Sequence, residues 1–148
     1  MKILIYDAYA KSQNSPPRGG STKSLVDFLR VNTINSKHEY FFLTNQLNRK
    51  YYQENIKPLG VKELYIEFPK AFFAYGKKYE ANIWNQIKLL LFSFPSLILK
   101  LSRTLREGKF DKIVANEIRA SLTVGIPALI ANKELITFVR SDYGVGSK

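Results

Sequence analysis

The run KILIYD, residues 2–7, places four apolar side chains in succession, Ile3 to Tyr6, and closes on an aspartate. An unbroken apolar run of this length, rather than an alternating one, marks a strand covered on both faces, as strands of parallel sheets are. It is expected to be the first strand, near the centre of its sheet. The polar stretch KSQNSPPRGG, residues 11–20, holds two prolines and two glycines and excludes regular structure until Ser21, a good N-cap. A helix is predicted from about Ser21 to Asn32, with Leu25, Phe28 and Leu29 on one side.

Farther along, EYFFLT (39–44) reads as a second strand, Gln46–Lys57 as a polar helix ended by Pro58-Leu59-Gly60, and VKELYIEF (61–68) as a third strand. From Trp84 onward apolar residues recur at 84, 87, 91, 94, 98, 101 and 105. Steps of three and four predict one face of a long helix, which Pro95 should kink or restart and Gly108 should cap. DKIVA (111–115) is a fourth strand, Arg119–Asn132 a helix disturbed by Gly125 and Pro127, and ELITFVR (134–140) a fifth strand. Strands alternating with helices imply right-handed crossovers and an α/β, Rossmann-like three-layer sandwich around a mostly parallel central sheet. With 148 residues, 45% of them hydrophobic, the chain matches one ordinary domain.

Lys and Arg number 23 against 12 Asp and Glu, a formal charge of +11. Residues 1–75 carry eleven basic and six acidic side chains and residues 76–148 twelve and six, so the excess belongs to the folded body and favours anionic partners. The absence of cysteine removes disulfides, thiolate metal sites and cysteine nucleophiles, and suits the cytoplasm. MKILIYDAYA is too short and too polar for a signal peptide. The most apolar stretch, Lys88–Leu101, falls short of the roughly 20 residues of a spanning helix and contains Pro95.

Ligands of open α/β sheets bind beyond the carboxyl ends of the strands. After the first strand, Gly19, Gly20 and Ser21 open a helix whose unpaired N–H groups make a phosphate cradle, with an ordinary capped loop as the plain alternative. The P-loop spacing and the G-x-G-x-x-G fingerprint are both missing from this loop. Asn116, Glu117 and Arg119 follow the fourth strand, and Arg140, Ser141 and Asp142 the fifth. Glu117 or Asp142 can orient a sugar hydroxyl or act as a base, and Arg140 can hold a phosphate or carboxylate oxygen. A bare Arg140–Asp142 ion pair at a strand end is the alternative. His38, the one histidine, falls at the start of the second strand, away from this cleft; no metal site or His-based triad is expected.

Taken in order, KILIYDAYA with RGGSTKSLVDFLR, then LREGKFDKIVANEIRA, then ELITFVRSD resemble the N-terminal domain of glycosyltransferase family 4, enzymes of the two-domain GT-B type. The resemblance covers nearly the whole chain through the succession of its motifs. It implies a retaining glycosyltransferase of cell-surface glycan synthesis, with residues 1–148 as the acceptor-side domain and the C-terminal donor-binding domain outside them, so that this piece alone has little activity. By matching position, Gly19 and Gly20 approach the donor phosphates and Glu117 with Arg119 lines the acceptor side; Ser21 joins the phosphate-binding candidates, Asn116 and Asp142 the acceptor-binding ones, and Glu117 and Arg140 are the catalytic candidates. The family often has a histidine after the fifth strand, where this chain has Arg140. The implied partners are a nucleotide-sugar donor and a saccharide or lipid-linked acceptor, with no metal and no cofactor beyond the donor.

Phe68–Trp84 contains six aromatics and three lysines, and Lys88, Lys100, Arg103, Arg106 and Lys109 follow. Basic residues interleaved with aromatics suit peripheral contact with an anionic membrane at its inner face; aromatics filling the core beneath solvated lysines are the plainer alternative, which the heptad-like spacing slightly favours. Nucleic acid is disfavoured because no recognised binding motif accompanies the charge. The alternative of another class is a non-enzymatic Rossmann-like module that binds a nucleotide or a partner.

Overall fold

The computed structural model describes residues 1–8, 20–34, 36–69, 84, 87 and 89–139. Its elements are β1 (Lys2–Asp7), α1 (Gly20–Thr33), β2 (Glu39–Asn45), α2 (Arg49–Asn55), β3 (Lys62–Ile66), α3 (Phe94–Gly108), β4 (Lys112–Asn116), α4 (Ile118–Ile130) and β5 (Glu134–Phe138). The five strands form one sheet in the order β3-β2-β1-β4-β5, and every neighbouring pair is parallel.

Successive strand side chains point to opposite faces, and β1 shows the consequence. Leu4 and Tyr6 pack with Leu97, Leu101 and Leu105 of α3 and with Ala120 and Val124 of α4. Ile5, between them, packs with Leu25, Val26 and Leu29 of α1 and with Tyr52 of α2. Two hydrophobic cores thus sandwich the sheet, and the apolar run of residues 3–6 is unbroken because both faces demand it. From β1 the chain winds outward to β3 with α1 and α2 on one face, then crosses back to β4 and β5 with α3 and α4 on the other. With one hand of crossover, reversing direction along the sheet changes the face on which the helices lie.

The described residues correct several sequence expectations. Gln46–Lys57 divides into a 3-10 turn at Gln46–Asn48, α2, and a second 3-10 turn at Lys57–Leu59, closed by Gly60 at φ 74°. The third strand is trimmed to Lys62–Ile66 and the fifth stops at Phe138. A π turn at Leu89–Ser93 precedes α3 and runs directly into it, and Pro95 lies in the first turn of α3. The wider π turn breaks the 3.6-residue phase, so Trp84 and Leu91 are exposed instead of continuing the buried face, while Leu97 is fully buried. Gly108 does not cap α3 but is its last residue; Lys109 takes the left-handed turn at φ 48°. A Cβ on Gly108 would lie 2.1 Å from the Phe110 ring, so glycine is needed there for packing. α4 runs through both Gly125 and Pro127 without a break.

Candidate functional site

The chain order reverses between β1 and β4, and the connections leaving those two strands diverge to opposite faces. Such a divergence opens a crevice beyond the carboxyl edge of the sheet. The register there is Asp7 beside Thr44 on β2 and, one step past the Tyr6–Ala115 pair, Asn116 on β4. Two residues before each of them, Phe42, Ile5 and Val114 belong to the core under α1 and α2. Thr44, Asp7 and Asn116 therefore form a polar row across three adjacent strands, on that same face.

All three side chains are buried, at 0, 2 and 3% exposure, where an unsatisfied polar group costs about 1–3 kcal/mol. The loop and first turns after β2 supply partners: Asn48 Nδ2 donates to Thr44 Oγ1 at 3.1 Å, and the Tyr52 hydroxyl donates to Asp7 Oδ2 at 2.6 Å. Asn116 Nδ2 donates to Asp7 Oδ1 at 3.4 Å. The other amide atom, Asn116 Oδ1, is buried and has no partner among the described residues, and the same holds for Asn45 Nδ2 at the end of β2. Neighbouring Tyr6 faces the opposite core and shares a hydrogen bond with Thr123. Burial holds its ionisation well above the usual phenol range, and the nearby Asp7 carboxylate adds to the shift, so it stays neutral.

Glu117, directly after Asn116, sits at φ 78° and ψ 165°, a region nearly reserved for glycine and costing a side-chain-bearing residue about 1–3 kcal/mol. Its surroundings enforce the conformation. The Glu117 N–H donates to Phe138 O at 2.9 Å, and its carbonyl accepts from Ser121 N at 3.2 Å and Ser121 Oγ at 3.4 Å. Ser121 Oγ is also within 2.6 Å of Thr137 Oγ1 on β5. Although Glu117 holds the N-cap position of α4, its side chain makes no capping bond, which leaves a half-buried carboxylate at the carboxyl edge.

Among the other residues singled out in the sequence, Gly20 and Ser21 form the first turn of α1. That end lies at the carboxyl edge, because α1 leaves from the end of β1 and returns to the start of β2. Arg119 is in the first turn of α4, and the side chains of Ser21 and Arg119 lie outside the described set. Gly19, Arg140 and Asp142 lie outside the described residues altogether. Asn116, Glu117 and the N-terminal turns of α1 and α4 are thus gathered at one edge. Asp7 and Tyr52 belong to the same cluster and were not singled out. A carboxylate ending an apolar strand was the available signal for Asp7, whereas Tyr52, on a segment that reads as polar, had none.

The amino edge has a different character. His38 is exposed there, beside a shallow recess of about 300 Å³ lined by Thr33, Lys37, Glu39 and Gly60 among others. This recess lies at the far end of the strands from the polar row. No group of three or more His, Cys, Asp or Glu side chains suited to a metal ion occurs among the described residues, and no helix of theirs is long and apolar enough to cross a membrane.

No family model matches the chain, and no curated protein matches it in sequence. Among solved structures it is similar to MurG of Acinetobacter baumannii, a GT-B glycosyltransferase, with a TM-score of 0.59 and 10% identity. The match covers 93% of this chain and 35% of the MurG chain, so the chain spans about a third of that protein's length. At this identity the likeness is one of fold: an all-parallel, Rossmann-like α/β domain of the kind that makes up one half of a GT-B structure.

Proposed function

We propose that this chain is the N-terminal, acceptor-side domain of a glycosyltransferase that moves a sugar from a nucleotide-sugar donor to a saccharide or lipid-linked acceptor in cell-surface glycan synthesis. The observation that carries the reading is the fold correspondence with MurG over 93% of the chain. Because one fold hosts many chemistries, the site must add its own weight. The buried polar row and the strained Glu117 supply it, at the edge where ligands of such sheets bind.

In this reading the donor phosphates meet the backbone at Gly19, Gly20 and Ser21, where the α1 dipole favours negative charge. Asn116, Arg119 and Asp142 hold the acceptor. Glu117 orients the acceptor hydroxyl or takes its proton, and Arg140 pairs with a phosphate oxygen. Retention of configuration, and family 4 in particular, rest on the sequence resemblance alone. The nucleotide-sugar enters as substrate, without a metal or further cofactor. The remaining contacts to the donor fall to a second domain, so residues 1–148 alone turn over little, because both walls of the cleft are needed to align the reactants.

The protein is placed in the cytoplasm, touching the inner membrane face. Supporting that contact, Trp84, Leu91, Phe92 and Leu99 are 63 to 70% exposed, and exposed Lys100 and Arg103 follow on α3. Flotation with anionic and neutral liposomes tests it; recovery with neither removes the membrane contact. For the reaction, the full-length protein is incubated with a panel of nucleotide-sugars and a membrane-lipid extract, and transfer of labelled sugar is followed. Transfer that falls about 100-fold or more in Glu117→Gln supports the reading. Binding of nucleotide or partner without turnover of any donor favours the non-enzymatic module instead.

A further inference from the structure

Within the polar row, Thr44 and Asp7 receive bonds from Asn48 and Tyr52, whereas among the described residues the Asn116 side chain makes one bond, the one it donates to Asp7. That bond determines which way the amide lies. Turning the amide over would set its oxygen against the Asp7 carboxylate, two acceptors with no proton between them, at a buried position where such a conflict is poorly screened. The carboxylate therefore holds Nδ2 toward β1, and Oδ1 is left as a buried acceptor with no partner. The next residue is the strained Glu117, so the free acceptor and the carboxylate stand on adjacent residues of one turn.

We propose that Asp7 is a positioning residue: it locks the Asn116 amide so that Oδ1 receives a hydrogen bond from a hydroxyl of the acceptor saccharide. The proposal rests on the glycosyltransferase reading and deepens it. A locked carbonyl oxygen accepts but cannot donate, so this position selects a ligand group that carries a proton, a sugar hydroxyl, and refuses a bare phosphate or keto oxygen. Tyr52 donates to Asp7 Oδ2 while Oδ1 accepts from Asn116, so the two oxygens of the carboxylate serve different donors.

The test uses the full-length protein, Asp7→Asn, Asn116→Asp and the double variant. The probes are methyl glycosides of glucose, mannose and N-acetylglucosamine, with binding followed by NMR. Asn at position 7 still accepts from Tyr52 but presents an amide to Asn116, whose own amide then turns over and offers N–H where oxygen stood. Glycoside affinity is expected to fall about tenfold in Asp7→Asn, as for loss of one good hydrogen bond. In the double variant the amide of position 7 donates to the new carboxylate at 116, whose second oxygen restores the acceptor, and affinity returns to within about threefold of wild type. A residue that merely held the fold would not give this rescue by exchange of the two groups.

Without any ligand, the Asn116 side-chain amide resonance should move between wild type and Asp7→Asn; an unmoved resonance overturns the proposal. Unchanged glycoside affinity in Asp7→Asn, or a double variant that melts like wild type yet recovers no binding, overturns it as well while the transferase reading stands. Wild-type protein that binds none of the glycosides overturns the hydroxyl ligand and counts against that broader reading too.

Discussion

The two edges of the sheet are both lined with polar side chains, and they use them in opposite ways. At the amino edge Lys62 pairs with Glu39, Lys112 with Glu134 at 3.0 Å, and the backbone of Lys2 with Asp111 at 2.6 Å. These groups are largely in water, where such pairs contribute about 0–1 kcal/mol. At the carboxyl edge Thr44, Asp7 and Asn116 are removed from water, one amide oxygen has no partner, and Glu117 is held in a conformation suited to glycine. A sheet edge needs only the first arrangement to stay soluble. The second costs stability, and features that cost stability persist where they position something.

That contrast is most exposed to failure at Glu117. Glu117→Gly removes the positive-φ penalty, so the protein should gain about 1 kcal/mol after the extra chain entropy of glycine is subtracted. The same change removes the carboxylate, and under the proposed glycosyltransferase function any transfer measured should drop about 100-fold or more. Glu117→Gln keeps the strain and loses only the charge, so it should match wild type in melting and the glycine variant in activity. Thermal melting and turnover measured on the three proteins check this. A glycine variant that is more stable and equally active would mean the strain serves nothing at this edge.

Tyr52→Phe is the next largest test. It strips the 2.6 Å hydroxyl donor from a carboxylate that is 2% exposed, a charge-assisted bond worth about 2 kcal/mol. Denaturant unfolding should register that loss, against less than about 0.5 kcal/mol for Lys112→Ala, whose partner Glu134 remains solvated. Equal losses at the two positions would erase the distinction between the edges.

How much of this arrangement was legible beforehand follows from the kind of signal each part carries. The central strands were readable to within a few residues because burial on both faces forces apolar runs such as residues 3–6, and runs survive small errors of register. The helix before β4 was readable only in part. Periodicity counted from Trp84 assumes 3.6 residues per turn, and the π turn at Leu89–Ser93 breaks that phase, so the count found Leu101 and Leu105 but missed Leu97. Asn116 and Glu117 could be placed by position, since they end a strand. What Asp7 and Tyr52 do there could not, because their contact spans 45 residues and a helix that composition alone barely marks. The strain on Glu117 is equally invisible in the sequence, where nothing distinguishes its backbone from that of any other glutamate.

The smallest effect belongs to the amino edge and carries a definite sign. The hydrogen bond and charge of Lys62 hold the Glu39 carboxyl below its usual range, so its contribution is present above the carboxylate's unfolded value. It is lost as pH falls through the lower, folded value. Glu39→Gln should therefore match wild type in melting only once the pH is below the lowered folded value, with the difference fully present above about 4.5 and fading as pH falls beneath it. Because both side chains of the pair reach solvent, that difference should be barely resolvable and should shrink further as salt is raised toward 1 M, where screening reaches about 3 Å. A large, salt-resistant loss in Glu39→Gln would show that the amino edge stores energy as the carboxyl edge does, and burial would no longer separate the two.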